Sequence, residues 1–200
     1  MGVSGVGKTA VGRELARRLG VEYADADDLH PPANVEKMRS GTPLTDEDRL
    51  PWLRRVGQWL GEREQAGGVA SCSALRRAYR EVVLEGAPTA YFLHLTADEE
   101  VLRERMSRRQ HFMPPALLAS QLQTLEPLGP DEPGLEVDAT QPVQAVVDEF
   151  LARSTAAGQP VEDGRDLGQA DLIAETSNSR TTLSLTRTPP VSRAAFQVMP

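Results

Sequence analysis

The sequence contains a single cysteine, no long apolar run and no excess of positive charge. The lone Cys72 excludes an internal disulfide framework and is typical of a protein from a reducing compartment. No apolar run approaches the ~20 residues that a membrane-spanning helix requires, and no stretch has the pattern of a signal peptide. The formal net charge of −7 argues against nucleic acid as the main partner. We therefore expect a cytoplasmic protein that neither crosses a membrane nor binds nucleic acid.

The first residues carry the most informative pattern, because they fit the phosphate-binding consensus G-x-x-x-x-G-K-[ST]. Glycines in such a loop let backbone N–H groups point inward at phosphate oxygens, and the N-terminus of the following helix favours the same anion. Lys8 is expected to reach the β- and γ-phosphates of ATP, and the Thr9 hydroxyl to bind Mg²⁺. The alternative is a glycine-rich turn without a ligand, and the amphipathic helix pattern that follows disfavours it. The predicted ATP-binding residues of this loop are Gly2, Val3, Ser4, Gly5, Val6, Gly7, Lys8 and Thr9.

Short apolar strands alternate with amphipathic helices from residue 1 to about residue 151. This alternation predicts an α/β fold with a parallel sheet, in the three-layer α/β/α arrangement of P-loop NTPases. A P-loop normally follows a buried strand, whereas only Met1 precedes Gly2. We therefore expect the first strand to be missing from this chain, through a start further upstream or through truncation. Residues 152–200 are rich in Ser, Thr, Gly, Pro and Ala, and we expect them to form a disordered tail.

Two carboxylates follow the first predicted strand, which covers residues 21–24. Asp25 and Asp27 are spaced to lie on the same side of an extended chain, beside the predicted phosphate loop. One of them can hold Mg²⁺, and the other can accept the proton of an attacking hydroxyl. The alternative is an aspartate-rich turn that caps the next helix, and the residues alone leave both interpretations open.

Residues 31–66 interrupt the alternation with two helices, the second of which starts at the favourable cap Thr45. This segment predicts a small helical insertion that covers a substrate pocket. Arg76 and Arg77 lie in the first turn of a later helix, where the helix dipole disfavours cations. Their position indicates either an anionic ligand or a solvated surface. Cys72 is interpreted as a small core residue rather than a nucleophile.

A charged segment at about residues 105–115 resembles the mobile lid of small phosphotransferases. The arginines of such lids neutralise charge on the transferring phosphoryl group when the lid closes. Arg105 and Arg109 are the candidate lid residues. The alternative is a solvated helix face with ion pairs between residues four apart.

Taken together, these motifs resemble the gluconate kinases (gluconokinases), small P-loop kinases related in fold to the shikimate and adenylate kinases. The resemblance extends from Met1 to about Leu151. The blocks Asp-Ala-Asp-Asp-Leu-His-Pro at 25–31 and Cys-Ser-Ala-Leu-Arg-Arg at 72–77 are more specific than the P-loop itself. Further similarity lies at residues 34–38, 41–44, 46–53, 78–80, 111–112 and 124–127.

The resemblance implies ATP-dependent phosphorylation of the 6-hydroxyl of D-gluconate, with Mg²⁺ as cofactor and a homodimer as the expected assembly. It implies that Asp25 lies near the metal and that Asp27 orients and deprotonates the sugar hydroxyl. The catalytic residues would be Lys8, Asp27, Arg105 and Arg109. The other site residues implied by the resemblance are His30, Arg49 and Arg76 at the substrate, and Gln141 and Pro142 beside the adenine.

Two other functions stay open at this point. A kinase for shikimate, another small sugar acid or a nucleoside monophosphate would carry the same phosphate loop on the same fold. A truncated, non-catalytic nucleotide-binding remnant would bind ATP or nothing, and it would release no ADP in response to an acceptor.

Overall fold

A computed structural model describes residues 1–40, 42–107, 115–156 and 196–198. The helices of this part of the chain are α1 (Lys8–Leu19), α2 (Pro32–Arg39), α3 (Asp46–Gly61), α4 (Arg77–Gly86), α5 (Glu99–Ser107), α6 (Pro115–Thr124) and α7 (Val143–Ala156). The strands are β1 (Glu22–Asp25), β2 (Gly68–Ser71), β3 (Tyr91–Thr96), β4 (Gly134–Asp138) and β5 (Phe196–Val198). A short 3₁₀ helix, Ala26–Leu29, joins β1 to the segment that leads to α2.

The strands form one sheet in the order β1-β2-β5-β3-β4, and every pairing is parallel. The predicted α/β fold with a parallel sheet is therefore confirmed. Parallel strands end at the same edge of a sheet, and Asp25 at the end of β1 is paired in register with Ser71 at the end of β2. The phosphate loop lies at this edge, since the Ser71 hydroxyl donates to the carbonyl oxygen of Lys8 at 3.3 Å.

Successive residues of the central strands pack into two different apolar clusters, as the alternation of side chains in a strand requires. Val69 and Leu93 belong to the cluster that contains the buried residues of α1 and α7. Their neighbours Ala70 and Phe92 belong to the cluster formed with α3 and α4. Helices therefore cover both faces of the sheet, and the predicted three layers are present.

The place in the sheet ahead of the phosphate loop is shared by two segments of the chain. β5 lies between β2 and β3, with Val198 opposite Leu93. Met1 takes the next place along the same line, because its amino group donates to the carbonyl of Leu93 and its carbonyl accepts from the amide of Leu95. We expected this strand to be missing from the chain. In the structure, β5 fills its place.

Helices α3 and α4 approach each other closely through glycines. A Cβ atom on Gly57 of α3 would stand 2.6 Å from the carbonyl oxygen of Val83 on α4. Helix α3 begins where it was predicted, because Thr45 and Asp48 form a capping box at its N-terminus. Its buried side chains include Trp52, so α3 is part of the core as well as of the predicted helical insertion.

The last predicted helix runs further than expected, to Ala156 instead of about Leu151. The hydroxyls of Ser154 and Thr155 both donate to the carbonyl of Leu151, and Ser154 is buried. Most of the tail (157–195 and 199–200) and most of the predicted lid (108–114) lie outside the described residues. None of the described helices is long and apolar enough to cross a membrane.

Candidate active site

Residues 2–7 form a loop whose backbone requires glycine at several positions. Gly2 and Gly7 have φ angles of 143° and 106°, in the left-handed region. A Cβ on Gly2 would stand 2.5 Å from the carbonyl oxygen of Leu95, whereas a Cβ on Gly7 would meet nothing within 4 Å. Gly7 thus borders open space at the N-terminus of α1, where there is neither a capping side chain nor an acidic residue. This helix end fits a bound phosphate group.

The first two residues of α1 supply the predicted cation and hydroxyl. Lys8 is buried, and its Nζ donates to the carbonyl oxygen of Val3 at 2.7 Å. The Thr9 hydroxyl donates to Asp25 Oδ2 at 3.4 Å, so the structure brings the two predicted Mg²⁺ ligands together. No three acidic, histidine or cysteine side chains of the described residues form a metal site by themselves. A hydroxyl and a carboxylate nevertheless suit Mg²⁺, which usually takes its remaining ligands from water and substrate phosphates.

Asp27 lies on the 3₁₀ helix directly after β1. Its backbone N–H donates to Asp25 Oδ1 at 3.3 Å, so Asp25 also caps this helix. This agrees with the alternative prediction of an aspartate-rich turn that caps the next helix. The Asp27 side chain is 75% exposed. Partial desolvation by the surrounding protein, followed by repulsion from Asp25, raises the pKa of Asp27 above its ordinary value, although Lys8 opposes the shift. A carboxylate with a raised pKa is a better proton acceptor.

His30 is held beside Asp27 by an aromatic stack. Its ring lies on Trp52 with 4.2 Å between centroids and an interplanar angle of 13°. The Trp52 Nε1–H donates to the carbonyl oxygen of Ala26 at 2.6 Å, which fixes the indole. Burial, followed by the positive charge of Arg49, lowers the pKa of His30 to about 4. The imidazole is therefore neutral near pH 7.

Asn34 determines which nitrogen of His30 carries the proton. The carbonyl of Asp48 can only accept, so the amide atom 2.8 Å from it is Asn34 Nδ2. The same Nδ2 lies 3.3 Å from His30 Nδ1, which must then act as the acceptor of the neutral ring. The proton consequently sits on Nε2, and Nε2 lies 4.0 Å from Asp27 Oδ1. His30 thus presents a hydrogen-bond donor to the predicted base.

The two predicted substrate arginines meet at one aromatic ring. The Cζ atoms of Arg49 and Arg76 lie 5.9 Å and 5.6 Å from the ring centroid of Tyr79. Asp46 accepts from the Tyr79 hydroxyl at 2.5 Å and from Arg76 Nη1 at 3.0 Å. Two guanidinium groups placed in this way suit a carboxylate ligand. The sequence places Tyr79 in a segment of similarity but gives it no role at the site, because a single aromatic residue in a helix carries no functional signal.

Arg105 connects two segments that were predicted to border the nucleotide. Its Nη1 donates to the carbonyl of Val6 in the phosphate loop at 3.2 Å, and its Nη2 donates to the carbonyl of Ala139 at 2.8 Å. In this arrangement the guanidinium ties the phosphate loop to the turn after β4. Its contact with a transferring phosphoryl group stays a prediction, and Arg109 lies outside the described residues.

Gln141 and Pro142 lie in the exposed turn between β4 and α7. The Gln141 side chain donates to Glu149 Oε2 at 3.1 Å, and the Pro142 carbonyl accepts from the amide of Val146 to start α7. Because Arg105 joins this turn to the phosphate loop, the turn lies next to the predicted ATP site. Contact with an adenine stays a prediction.

A residue that sequence reasoning missed also reaches the phosphate loop. The backbone N–H of Ser4 donates to the side-chain oxygen of Gln121 at 2.7 Å. The two residues are 117 positions apart, so no local pattern could connect them. Gln121 lies on α6, which follows the predicted lid in the chain.

Two of the motif blocks serve to hold the chain together. The Glu126 carboxylate accepts from the amide of Arg77 at 2.6 Å, and the amide of Glu126 donates to the carbonyl of Leu75 at 2.8 Å. The Arg77 guanidinium donates to both oxygens of Asp131, at 3.0 and 2.6 Å. Arg77 is therefore a surface ion-pair residue, whereas Arg76 lies beside Arg49 at the ring of Tyr79. Cys72 is buried and burial raises its pKa to about 12, in agreement with a core role.

Comparison with known proteins relates this geometry to a family. A family model described as an AAA domain matches residues 1–112. A gluconokinase from Gluconobacter oxydans (strain 621H) is 48% identical over 154 residues, which cover 76% of this chain and 86% of that protein. The thermosensitive gluconokinase of Escherichia coli (strain K12) is 46% identical over 136 residues, which cover 66% of this chain and 72% of that protein. The chain belongs to the gluconokinase family.

Solved structures support the gluconokinase relationship at the level of the fold. The crystal structure of a gluconokinase from Sinorhizobium meliloti 1021 matches with 46% identity and a TM-score of 0.72, over 78% of this chain and 90% of that one. A sugar kinase from Janibacter sp. HTCC2649 matches with 48% identity and a TM-score of 0.70, over 78% of this chain and 94% of that one. The P-loop kinase fold and the enzyme class expected from the sequence are confirmed.

Proposed function

We propose that this protein transfers the terminal phosphoryl group of ATP to the 6-hydroxyl of D-gluconate. The products are 6-phospho-D-gluconate and ADP. One observation carries the proposal: a phosphate loop, the carboxylate of Asp27 and the arginine pair on Tyr79 occur together in a chain 48% identical to a gluconokinase. In the reaction, the sugar oxygen forms a bond to the γ-phosphorus, the bond from that phosphorus to ADP breaks, and the hydroxyl proton passes to Asp27.

The nucleotide side of the site is the loop Gly2–Thr9 with the N-terminus of α1. Backbone N–H groups of the loop bind phosphate oxygens, and Lys8 neutralises charge on the β- and γ-phosphates. Thr9 and Asp25 would hold Mg²⁺, which when bound supplies further neutralisation of the phosphates. The exposed turn with Gln141 and Pro142 borders the adenine.

The acceptor side of the site is formed by the 3₁₀ helix and the N-terminal ends of α3 and α4. Asp27 orients the sugar hydroxyl and takes its proton, and desolvation raises its pKa above the ordinary value. The neutral His30 donates a hydrogen bond through Nε2, either to Asp27 or to a hydroxyl of the bound sugar. Arg49 and Arg76 bind the carboxylate of the sugar acid.

The proposal includes three further features: the arginines of the lid, the compartment and the assembly. Arg105 and Arg109 neutralise the transferring phosphoryl group when the lid closes over it. The enzyme works in the cytoplasm, where ATP is present and Cys72 stays reduced. It assembles as a homodimer, which a mass measurement in solution checks directly.

The test is acceptor-dependent ADP release with gluconate, shikimate and AMP offered separately. We expect turnover with gluconate alone. Turnover with shikimate or AMP instead would move the assignment to a related kinase, and nucleotide binding without ADP release would indicate a non-catalytic remnant. The variant Arg49→Met should raise the KM for gluconate about tenfold to a hundredfold, the range for a charge-assisted hydrogen bond. Its matched control is Arg54→Met, because Arg54 is exposed on the same helix and should be silent.

A further inference from the structure

The side chain of Gln121 holds one donor group of the phosphate loop. Its Oε1 accepts a hydrogen bond of 2.7 Å from the backbone N–H of Ser4. Backbone N–H groups of such loops are the groups that bind phosphate oxygens in P-loop proteins. A neutral side chain from α6 therefore engages the loop in the region where the nucleotide is expected.

Lys8 holds the same peptide group from its other end. The carbonyl of Val3 and the N–H of Ser4 belong to one peptide unit, and this carbonyl accepts from Lys8 Nζ at 2.7 Å. A peptide unit is planar and stiff, so contacts at both ends fix its orientation. Lys8 is the residue that reaches the β- and γ-phosphates in this motif. Gln121 thus acts on the part of the loop that places Lys8.

Packing keeps α6 against the loop. Leu118 is only 2% exposed and lies in the same apolar cluster as Val3 and Val6. Gln121 is three residues after Leu118 and shares its side of the helix. Gln123, in contrast, is exposed. The position of Gln121 is therefore set by the packing of its helix.

We propose that Gln121 is a positioning residue for phosphoryl transfer, whose carboxamide fixes the Val3–Ser4 peptide and, through it, Lys8. The inference rests on the proposed kinase function and concerns only the nucleotide side of the site. A carboxamide suits this place because it is neutral and does not repel a triphosphate, whereas a carboxylate at the same distance would.

The first test is Gln121→Leu, which keeps the approximate size of the side chain and removes the acceptor. We expect kcat to fall and the Kd for ATP to rise, each about threefold to tenfold, as for the loss of one hydrogen bond. The KM for gluconate should not change. Hydrogen exchange of the Ser4 amide, followed by NMR, should become faster. Gln123→Leu is the matched control and should leave all four quantities at their wild-type values.

The second variant, Gln121→Glu, keeps an acceptor for Ser4 and adds a negative charge. We expect the Ser4 amide to stay protected and the binding of ATP to weaken more than that of ADP, because ATP carries the larger charge. If thermal melting shows that Gln121→Leu does not fold cooperatively, Gln121→Glu becomes the test of the proposal. Calorimetric binding of ATP and ADP and hydrogen exchange of the Ser4 amide can be measured without gluconate turnover. These measurements therefore stay informative even if the protein does not phosphorylate gluconate. The proposal is overturned if Gln121→Leu binds ATP as tightly as wild type or more tightly with kcat unchanged, or if Gln121→Glu does not discriminate ATP from ADP.

Discussion

Asp27 acquires its chemical character from side chains that fold around the end of β1. Asp25 caps the 3₁₀ helix and repels the charge of Asp27, while Nε2 of the stacked and neutral His30 lies 4.0 Å from Asp27 Oδ1. A base in this position must be able to take up a proton without losing its orientation. The raised pKa of Asp27 favours the uptake of a proton.

Replacement of Asp27 should remove catalysis and leave nucleotide binding intact. Asp27→Asn keeps the size of the side chain but cannot accept the hydroxyl proton, so we expect kcat to fall about 10²- to 10⁴-fold. The Kd for ADP, measured by calorimetry, should stay near the wild-type value. Asp28→Asn is the matched control, since Asp28 is exposed on the same short helix. A kcat of Asp27→Asn close to wild type would exclude Asp27 as the base.

Two buried histidines predict a loss of stability in mild acid. Burial lowers the pKa of His94 to about 3 and that of His30 to about 4, with nearby positive groups adding to both shifts. Between these values and about 6.5, the unfolded chain binds protons that the folded chain does not. The free energy of unfolding should therefore fall as the pH falls from about 6.5 toward 4, by roughly 1 kcal/mol per pH unit for each group.

Denaturant unfolding at pH 7, 6, 5 and 4 measures how steeply the free energy of unfolding falls with falling pH. His94→Leu should make this pH dependence shallower, because the titrating group is gone. The variant loses the contact of 3.0 Å between His94 Nδ1 and Glu136 Oε2, whereas Nε2 of His94 has no hydrogen-bond partner among the described residues. An unchanged slope in that variant would assign the acid sensitivity to other groups.

Residues with a local signature could be predicted, and residues that act across the fold could not. The phosphate loop and Asp25 can be proposed from the sequence because their chemistry depends on short spacings. Tyr79 and Gln121 make their contacts only when distant segments meet. Tyr79 is 33 residues from Asp46, and Gln121 is 117 residues from Ser4. No spacing rule spans such separations.

At the level of elements, the contact between α3 and α4 depends on the absence of a side chain at Gly57. A Cβ there would lie 2.6 Å from the Val83 carbonyl oxygen, and the backbone of α4 cannot move aside cheaply. Gly57→Ala should therefore cost about 1–3 kcal/mol of unfolding free energy, as overpacking does. Arg54→Ala, at an exposed position of α3, is the control for helix propensity. A more stable Gly57→Ala protein would show that the helices separate easily.

The start of α3 could be predicted from the sequence, whereas the end of α7 could not. Thr45 and Asp48 interact within one turn, so the cap was visible in the sequence. The sequence predicts the end of α7 too early, near Leu151, because the composition changes there to one rich in Ser, Thr, Gly, Pro and Ala. Packing extends the helix past this change, because Phe150, Leu151 and Ser154 are buried.

At the level of the whole molecule, β5 joins the two halves of the sheet. It pairs with β2 on one side and with β3 on the other, so its backbone bonds are central to the fold. Gln197→Pro removes an N–H and is incompatible with a central strand, and we expect it to lower the melting temperature by several degrees. Gln169→Pro, in the predicted disordered tail, should have no effect. Equal melting temperatures would mean that β5 adds nothing to stability.

The position of β5 also has a consequence for the order in which the protein can fold during translation. β5 comes after every other described strand in the chain, yet it lies in the middle of the sheet. The pairs β1-β2 and β3-β4 can form as they leave the ribosome, but until β5 arrives the inner edge of β2 stays unpaired and that of β3 is paired only with Met1. Such edges are templates for pairing with other chains. The nascent kinase should therefore depend on holding chaperones until β5 has been synthesised.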